Sequence, residues 1–546
     1  MSTPLWTLPA LIAATGATFD EISLARSGAS PAPHRGAEPL ELPSSWKQKE
    51  GGREGHVPPA GRGTGPVASE MRQQSPREAV TITGVSIDTR TLAPGDLFVA
   101  LKDARDGHDF VTTAFKNGAA AALVTIAYAR QPDDGLLLRV DDPLRALESL
   151  ARAARARLSD DARVIAVTGS AGKTTTKEML RACLTPLGPT HASEKSYNNH
   201  WGVPLTLARM PAGTRYAILE IGMNHPGEIT PLTKMARPHV AIVTTVGAAH
   251  LEHFGTVEKI AEAKAEIFAG LEPGGTKIIL DDNAHFAGFS ERASTARVRR
   301  FGRKAGSDAH IIGSSALAVP LKPQSVTIRI EPRWFTVRLA SLGLHMAHNA
   351  AIVALVVDTI VGPKDDEHPE REKLWDQAQH ALNDWQPEAG RGNRMILRAP
   401  EGEIHLIDES YNANPLSMNA AIGAAVDARS QVSTFEQRSR LVLVLGDMLE
   451  LGADAPQLHR DIAMTLSHVA SVLVLTCGPL MHHLHDALPE NVRGRHAASS
   501  AGLEQPLLAL VQPGDVVMIK GSNGMQMNLL VEALLNHFPP KSPDIG

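Results

Sequence analysis

Two kinds of apolar run alternate along most of the chain. Short β-branched runs such as "RVIAV" (163–167), "YAILEIG" (216–222), "VAIVTTVG" (240–247) and "TKIILDD" (276–282) have the length and composition of buried strands. Helix-period segments lie between them, as in "VEKIAEAKAEIFAGL" (257–271). Strand and helix in alternation predict a mostly parallel sheet with helices on both faces over residues 161–389. The same rhythm returns from about Gly390. Strands are expected at "EIHLIDE", "LVLVLGD", "SVLVLTCG" and "DVVMIKGS", with helical runs such as "MNAAIGAAVDA" between them. This pattern predicts a smaller doubly wound (Rossmann-like) unit at 390–546. Such sheets place ligands at the carboxyl ends of their strands. The polar pairs Asp408-Glu409, Gly446-Asp447 and Lys520-Gly521 fall at those ends.

The first 160 residues read differently. "VTITGVSIDTRTLAPGDLFVAL" (80–101) alternates and is punctuated by turn residues, which predicts short strands. In "DDPLRALESLARAARARL" (141–158), Leu144, Leu147, Leu150, Ala154 and Leu158 make one helical stripe that ends a small mixed α/β domain. Within it, residues at about 27–79 are rich in Pro, Gly, Ser and charge and lack apolar periodicity. They are expected to be a disordered insertion. The fold class is therefore α/β, with three domains at 1–160, 161–389 and 390–546.

Composition narrows the chemistry. Of 546 residues, 43% are hydrophobic and 21% charged, as in soluble globular proteins. A net charge of -5 and 4% aromatics give no reason to expect nucleic acid or an anionic membrane as partner. The two cysteines, Cys183 and Cys477, are far apart and build neither a zinc site nor a disulfide framework, which suits the cytoplasm. No basic n-region marks a signal peptide, and no membrane insertion is expected.

The strongest chemical signal is "VTGSAGKTTTKE". The usual phosphate loop is G-x-x-x-x-G-K-[ST]. Gly172-Lys173-Thr174 matches its second half, while Val167 stands where the first glycine belongs. A strand ending at Val167 and a helix opening near Gly172 aim backbone N–H groups and the helix dipole into one concavity. Gly169, Ser170, Ala171, Gly172, Lys173, Thr174 and Thr175 are the nucleotide-binding residues on this reading. Lys173 supplies a cation for the β- and γ-phosphates, and Thr174 a hydroxyl for Mg²⁺. A Gly-rich turn with a surface lysine is disfavoured, because G-K-T both follows a strand and opens a helix. Glu220 ends one buried strand, so it lies at the carboxyl edge near the loop. His250 follows the next strand. An imidazole is an unusual Mg²⁺ ligand, and on its own chemistry His250 is more often packed or solvated. Lys264 stands among glutamates, and alone it reads as part of a solvated helix face with i,i+4 pairs.

Taken together, "VTGSAGKTT", "ILEIGMNHPGEI" and "AAHLEHFGTVEKIAEAKAEIF" resemble the ATP-dependent Mur ligases and their folylpolyglutamate synthase relatives, which use this short loop. Further stretches are similar to the branch that adds a dipeptide: "SIDTRTLAPGDLFVAL" with "DGHDF", "YNNHWGVPLTL", "IDESYNANPLSM", "LGDMLELG" and "KGSNGM". The resemblance implies a UDP-substrate domain, an ATP domain and a closing ligase domain. Asp88, Thr89 and Arg90 then belong to the UDP-binding stretch, and Asn198 and Asn199 to the substrate-contacting motif. Glu220 and His250 match family metal ligands. Lys173, His250 and Lys264 form the catalytic set, Lys264 at the position that family members carry as a carbamate. Asn283 fits the adenine-contacting position. Arg391, Asp408, Tyr411 and Asn412 fall where ATP contacts are expected. Asp447, Glu450 and Lys520 lie in stretches expected to approach the ATP or dipeptide, while His345 and Asn349 match a motif without an assigned role. Asn523 departs from the family's K-G-S-R-G and offers no guanidinium.

The implied reaction is ATP-dependent joining of D-Ala-D-Ala to UDP-MurNAc-tripeptide through an acyl phosphate, with Mg²⁺, by a monomer. The product is the pentapeptide precursor of peptidoglycan. The alternative is a sister Mur ligase or a folylpolyglutamate-synthase-like ligase adding a single amino acid; "DESYNANP" and "LGDMLELG" argue against the sister ligase.

Overall fold

The computed structural model describes residues 4–19, 80–292, 295–316, 323–362, 368–433 and 439–541. The insertion expected at 27–79 lies outside them. The chain forms two compact units, Met1–Pro143 and Leu144–Gly546.

In the first unit, β1 (Thr18–Phe19), β2 (Gly84–Ser86), β3 (Asp96–Val99), β4 (Ala121–Thr125) and β5 (Leu137–Val140) form one sheet in the order β1-β5-β4-β3-β2. All its pairings are parallel except that of β1 with β5. Phe98, Val111, Ala122, Val124 and Leu137 form its core.

The second unit holds two larger sheets. The first contains β6 (Arg163–Thr168), β7 (Thr190–Ala192), β8 (Tyr216–Glu220), β9 (Val240–Val243), β10 (Thr276–Leu280), β11 (Arg297–Gly302), β12 (Ala309–Ala316), β13 (Gln324–Ile330) and β14 (Arg333–Leu339). Their order is β14-β13-β12-β11-β10-β9-β6-β8-β7. β7 to β12 and β6 pair in parallel, and β13 and β14 add an antiparallel edge. Every residue of Tyr216–Glu220 and Val240–Val243 is buried, whichever face its side chain takes. Both faces are therefore covered, as a parallel sheet requires.

Three helices of this unit carry polar residues of the candidate site: α1 (Lys173–Leu184), α2 (Val257–Ala265) and α3 (Leu344–Val361). Met179, Leu180 and Leu184 of α1 and Ile352, Leu355 and Val356 of α3 pack with Ile165, Val167 and Ile218 in one core. α3 is long and apolar enough to cross a membrane by length and composition. Its apolar character instead reflects burial inside this core.

The other sheet runs β15 (Asn393–Ala399), β16 (Gly402–Glu409), β17 (Leu441–Gly446), β18 (Val472–Cys477), β19 (Arg493–Ala497) and β20 (Val516–Lys520), in the order β15-β16-β20-β17-β18-β19. Only β15 with β16 is antiparallel. Leu441, Leu443 and Leu445 enter a core with Met418 and Ile422 of α4 (Pro415–Val432), while Val442 and Val444 enter a second core with Leu503 and Leu534. The period-two alternation between two apolar cores is the doubly wound arrangement expected for 390–546. Cys183 and Cys477 are both free and buried, and burial pushes each thiol up to about 12.

Leu443 is fully buried, whereas Met464 is 70% exposed. Leu443→Ala is expected to cost about 2–5 kcal/mol by cavity formation, while Met464→Ala stays within about 0.5 kcal/mol. Urea denaturation followed by circular dichroism compares the two; equal midpoints would contradict the two-core packing.

Candidate functional site

β6 and β9 are neighbours, but the chain leaves them in opposite directions across the sheet, β6 toward β7 and β8, and β9 toward β10. The crevice between such strands is where open α/β sheets take ligands. Two loops meet there, 169–172 and 244–250. Register places Glu220 of β8 opposite Val167 and Val243 of β9 opposite Thr168.

The glycines of the short loop are required by space as well as by dihedral. Gly169 has φ 153° and Gly172 φ 83°. A Cβ on Gly169 would lie 1.8 Å from Thr244 Oγ1, and one on Gly172 2.9 Å from Asn349 Oδ1. Val167, at the missing glycine's position, is fully buried in the core below the loop. Ser170 N–H donates to Thr245 O at 2.9 Å, and Ser170 Oγ donates to Gly247 O at 3.0 Å. The loop carbonyls are all engaged. Gly169 O accepts Lys173 Nζ (2.9 Å), Ser170 O accepts Asn414 Nδ2 (3.0 Å), Ala171 O accepts Thr244 Oγ1 (2.6 Å), and Gly172 O accepts Thr176 N (2.9 Å). Thr175 continues the first turn of α1, half-buried.

Glu220 joins this loop to a second segment. Its carboxylate, 1% exposed, accepts Thr174 Oγ1 at 2.8 Å and Asn198 Nδ2 at 2.7 Å. Burial lowers the pKa of Lys173; the Glu220 charge opposes that shift and Arg391 adds to it. The oxygen donors Thr174 and Glu220 fit a hard divalent cation.

One sequence reading changes here. Lys264 is not on a solvated face: α2 turns it inward to 2% exposure. Its Nζ meets only Met223 Sδ, at 4.0 Å, among the described residues. Desolvation, then the like charge of Lys173, hold its pKa well below the ordinary value. The charge pairing expected from flanking glutamates loses because this position faces the core, while Lys259 on the same helix is exposed. His250, in left-handed conformation with φ 57°, is not joined to Glu220 by a hydrogen bond. Its Nδ1 lies 2.5 Å from Glu450 Oε2, without hydrogen-bond alignment. That contact holds the Glu450 carboxyl below its usual range, against burial.

Residues from β16 and the turn after it approach the same place. Tyr411 OH and Ser196 Oγ are 2.8 Å apart; the Arg391 guanidinium lies 3.8 Å from the Tyr411 ring centroid and donates to Ser196 Oγ at 3.3 Å. Asp408 is used structurally: its carboxylate accepts Gly390 N (2.7 Å), Ser410 N (3.1 Å) and Ser410 Oγ (2.6 Å). Asn412 Oδ1 accepts Ala413 N, and its carbonyl accepts Lys520 Nζ at 2.9 Å. Lys520 also pairs with Glu409 at 3.2 Å. Asp447 receives Met481 N at 2.7 Å, and burial raises its pKa. Asn199 Oδ1 caps the next helix through Gly202 N (2.8 Å), and Asn283 Oδ1 accepts His285 N (2.8 Å) in the turn after β10. His345 is held below its usual pKa by burial, Glu409 opposing. Asn349 accepts Thr176 Oγ1 at 3.2 Å. Asn523 is exposed on a 3₁₀ turn.

In the first unit, Arg90 forks onto Asp88, Nε to Oδ1 at 3.0 Å and Nη2 to Oδ2 at 2.6 Å, while Thr89 O accepts Asn117 Nδ2 at 2.9 Å.

Sequence reasoning missed Asn414, Ser193, Ser196, Thr244 and Lys177. Asn414 carried a signal: Asn before Pro marks a helix start, and its Oδ1 caps α4 through Ser417 N. Its second bond, to Ser170 across 244 residues, had none.

Comparison with known proteins agrees with this geometry. Family models match in three segments: the Mur ligase family catalytic domain over residues 81–185, the Mur ligase middle domain over 167–357, and the Mur ligase glutamate ligase domain over 393–523. The UDP-N-acetylmuramoyl-tripeptide–D-alanyl-D-alanine ligase of Bacillus subtilis (strain 168) is 33% identical over 470 residues, covering 84% of this chain and 94% of that protein. Its counterpart in Escherichia coli (strain K12) is 34% identical over 459 residues, 83% and 94% respectively. A crystal structure of MurF from Acinetobacter baumannii superposes with a TM-score of 0.73 at 26% identity, covering 98% of this chain and 99% of that one. MurF from Thermotoga maritima in complex with ADP gives 0.68 at 25% identity, covering 83% and 97%. With the short phosphate loop, the α/β architecture and these matches all in agreement, the chain belongs to the Mur ligase family.

Proposed function

We propose that the chain is an ATP-dependent ligase that joins D-alanyl-D-alanine to the terminal carboxylate of UDP-N-acetylmuramoyl-tripeptide, releasing ADP and phosphate. The product is the UDP-linked pentapeptide precursor of peptidoglycan. The observation that carries the reading is the short phosphate loop with Thr174 bonded to a buried Glu220, at the crevice that Arg391, Tyr411 and Asn414 approach. The names of relatives at 33–34% identity over most of the chain support the same substrates. Breaks near residues 160 and 390 are the domain boundaries in this reading, supported by the separate sheets on either side of 390.

A carboxylate is a poor electrophile. Its oxygen attacks the γ-phosphorus, the bond to the β-phosphate oxygen breaks, and ADP leaves. The dipeptide amine then adds to the acyl carbon, loses a proton, and expels phosphate. No side-chain nucleophile is needed. Lys173 and the N–H groups of 172–174 that open α1 stabilise charge on the transferring phosphoryl group. Thr174 and Glu220 would hold Mg²⁺, with His250 released from Glu450 as a further ligand. The cation would neutralise charge on the phosphate oxygens. Asn198 orients the substrate from the other side of Glu220. An acyl phosphate hydrolyses, so the crevice must exclude water while it exists.

Lys264 belongs to this reading as a carbamate. Burial favours the neutral amine, the form that reacts with CO₂, and the resulting anion would offset the nearby Lys173 charge.

ATP-dependent phosphate release should appear with UDP-tripeptide and D-Ala-D-Ala and fall sharply without the dipeptide. Release indifferent to both substrates would overturn the assignment. Lys173→Ala should lower kcat by at least about 10³-fold while UDP-substrate binding by calorimetry is nearly unchanged. Lys264→Ala should cripple turnover far more than Lys259→Ala. With ¹³C-bicarbonate, a carbamate resonance should appear in the wild type and vanish in Lys264→Arg; its absence from the wild type would remove the carbamate.

A further inference from the structure

Lys177 lies one helical turn beyond Thr174 on α1 and is fully buried. Burying an ammonium is costly unless all its donors are met. Here two backbone carbonyls accept from it, Ser193 O at 2.7 Å and Lys195 O at 2.8 Å, and the Glu178 carboxylate pairs with its charge, Oε1 at 2.9 Å. Two of the three belong to the segment 193–199, which β7 feeds and which has no regular structure. That segment surrounds Glu220. Ser193 Oγ accepts Glu220 N at 3.1 Å, and Asn198 Nδ2 donates to Glu220 Oε1 at 2.7 Å. Ser196, between them, meets Tyr411 and Arg391. The i,i+3 spacing of Thr174 and Lys177 thus lets one helix face hold Glu220 directly and its surrounding segment through the ammonium.

We propose that Lys177 is a positioning residue: its ammonium ties the 193–199 segment to the phosphate-loop helix, so that Asn198 is presented to the UDP-linked substrate in register with the nucleotide site. This rests on the ligase reading for its substrate, not for its geometry. Lys177 touches neither reactant. Its loss should free the segment and leave the loop, which is pinned separately by Thr244, Thr245 and Asn414.

The test uses the full chain with Lys177→Met, Lys177→Gln and Ser193→Ala. Hydrogen exchange by mass spectrometry should quicken in 193–199 while 240–247 keeps wild-type protection. In steady state the KM for UDP-tripeptide should rise about tenfold, with the KM for ATP within about twofold. Ser193→Ala leaves the ammonium in place and removes the bond to the Glu220 amide, so it should shift the same KM if Lys177→Met does not fold. Equal loss of protection in both segments, or a fall in kcat with both KM values unchanged, would overturn the proposal. Absence of turnover in the wild type would overturn the ligase reading instead, and the exchange arm would still judge Lys177.

Discussion

A single buried carboxylate organises the site. Glu220 ends a strand with no exposed residue, and a charge held there must be hydrogen-bonded or it destabilises the fold. Its two side-chain partners come from different directions, Thr174 from the phosphate-loop helix and Asn198 from the segment after β7. Neither partner is optional for satisfying the charge. The folding requirement thus has a second effect: the arrangement that makes Glu220 tolerable also sets the loop, the helix and the 193–199 segment in one register.

Polar contacts tie the last sheet into this arrangement. Asn414 reaches Ser170, Tyr411 reaches Ser196, and Glu450 meets His250. Each contact joins loop, turn or cap positions and none lies within a strand. Such contacts can be broken and remade as reactants arrive, whereas the strands that deliver them remain packed on both faces. That division suits an enzyme that must admit three reactants and then shield an intermediate from water.

How much of this was legible in the sequence varied with the kind of signal. The strands at 163–168, 216–220, 240–243 and 441–446 were plain because fully buried parallel strands are continuous apolar runs. The loop was plain because glycine, lysine and threonine have fixed roles there. Lys264 misled, since composition near it is charged and its inward orientation depends on where α2 packs. Lys177 gave no signal at all. A lysine four residues beyond Lys173 looks solvated until the fold brings two carbonyls onto it. The structural use of Asp408 and Asn199 was likewise hidden, because local caps and turns compete for the same oxygens that a ligand would use.

The engaged carbonyls of the phosphate loop have a consequence for inhibitor chemistry. From Gly169 to Gly172 each backbone oxygen already accepts a hydrogen bond from the protein itself. With the Ser170 and Ala171 N–H groups also engaged, what the loop offers a visitor is the N–H groups that open α1 and the Lys173 ammonium, and little that accepts. A molecule that brings amines or amides to this wall meets only other donors. Sulfonates, phosphonates or carboxylates, rich in lone pairs and poor in hydrogens, match what the wall presents.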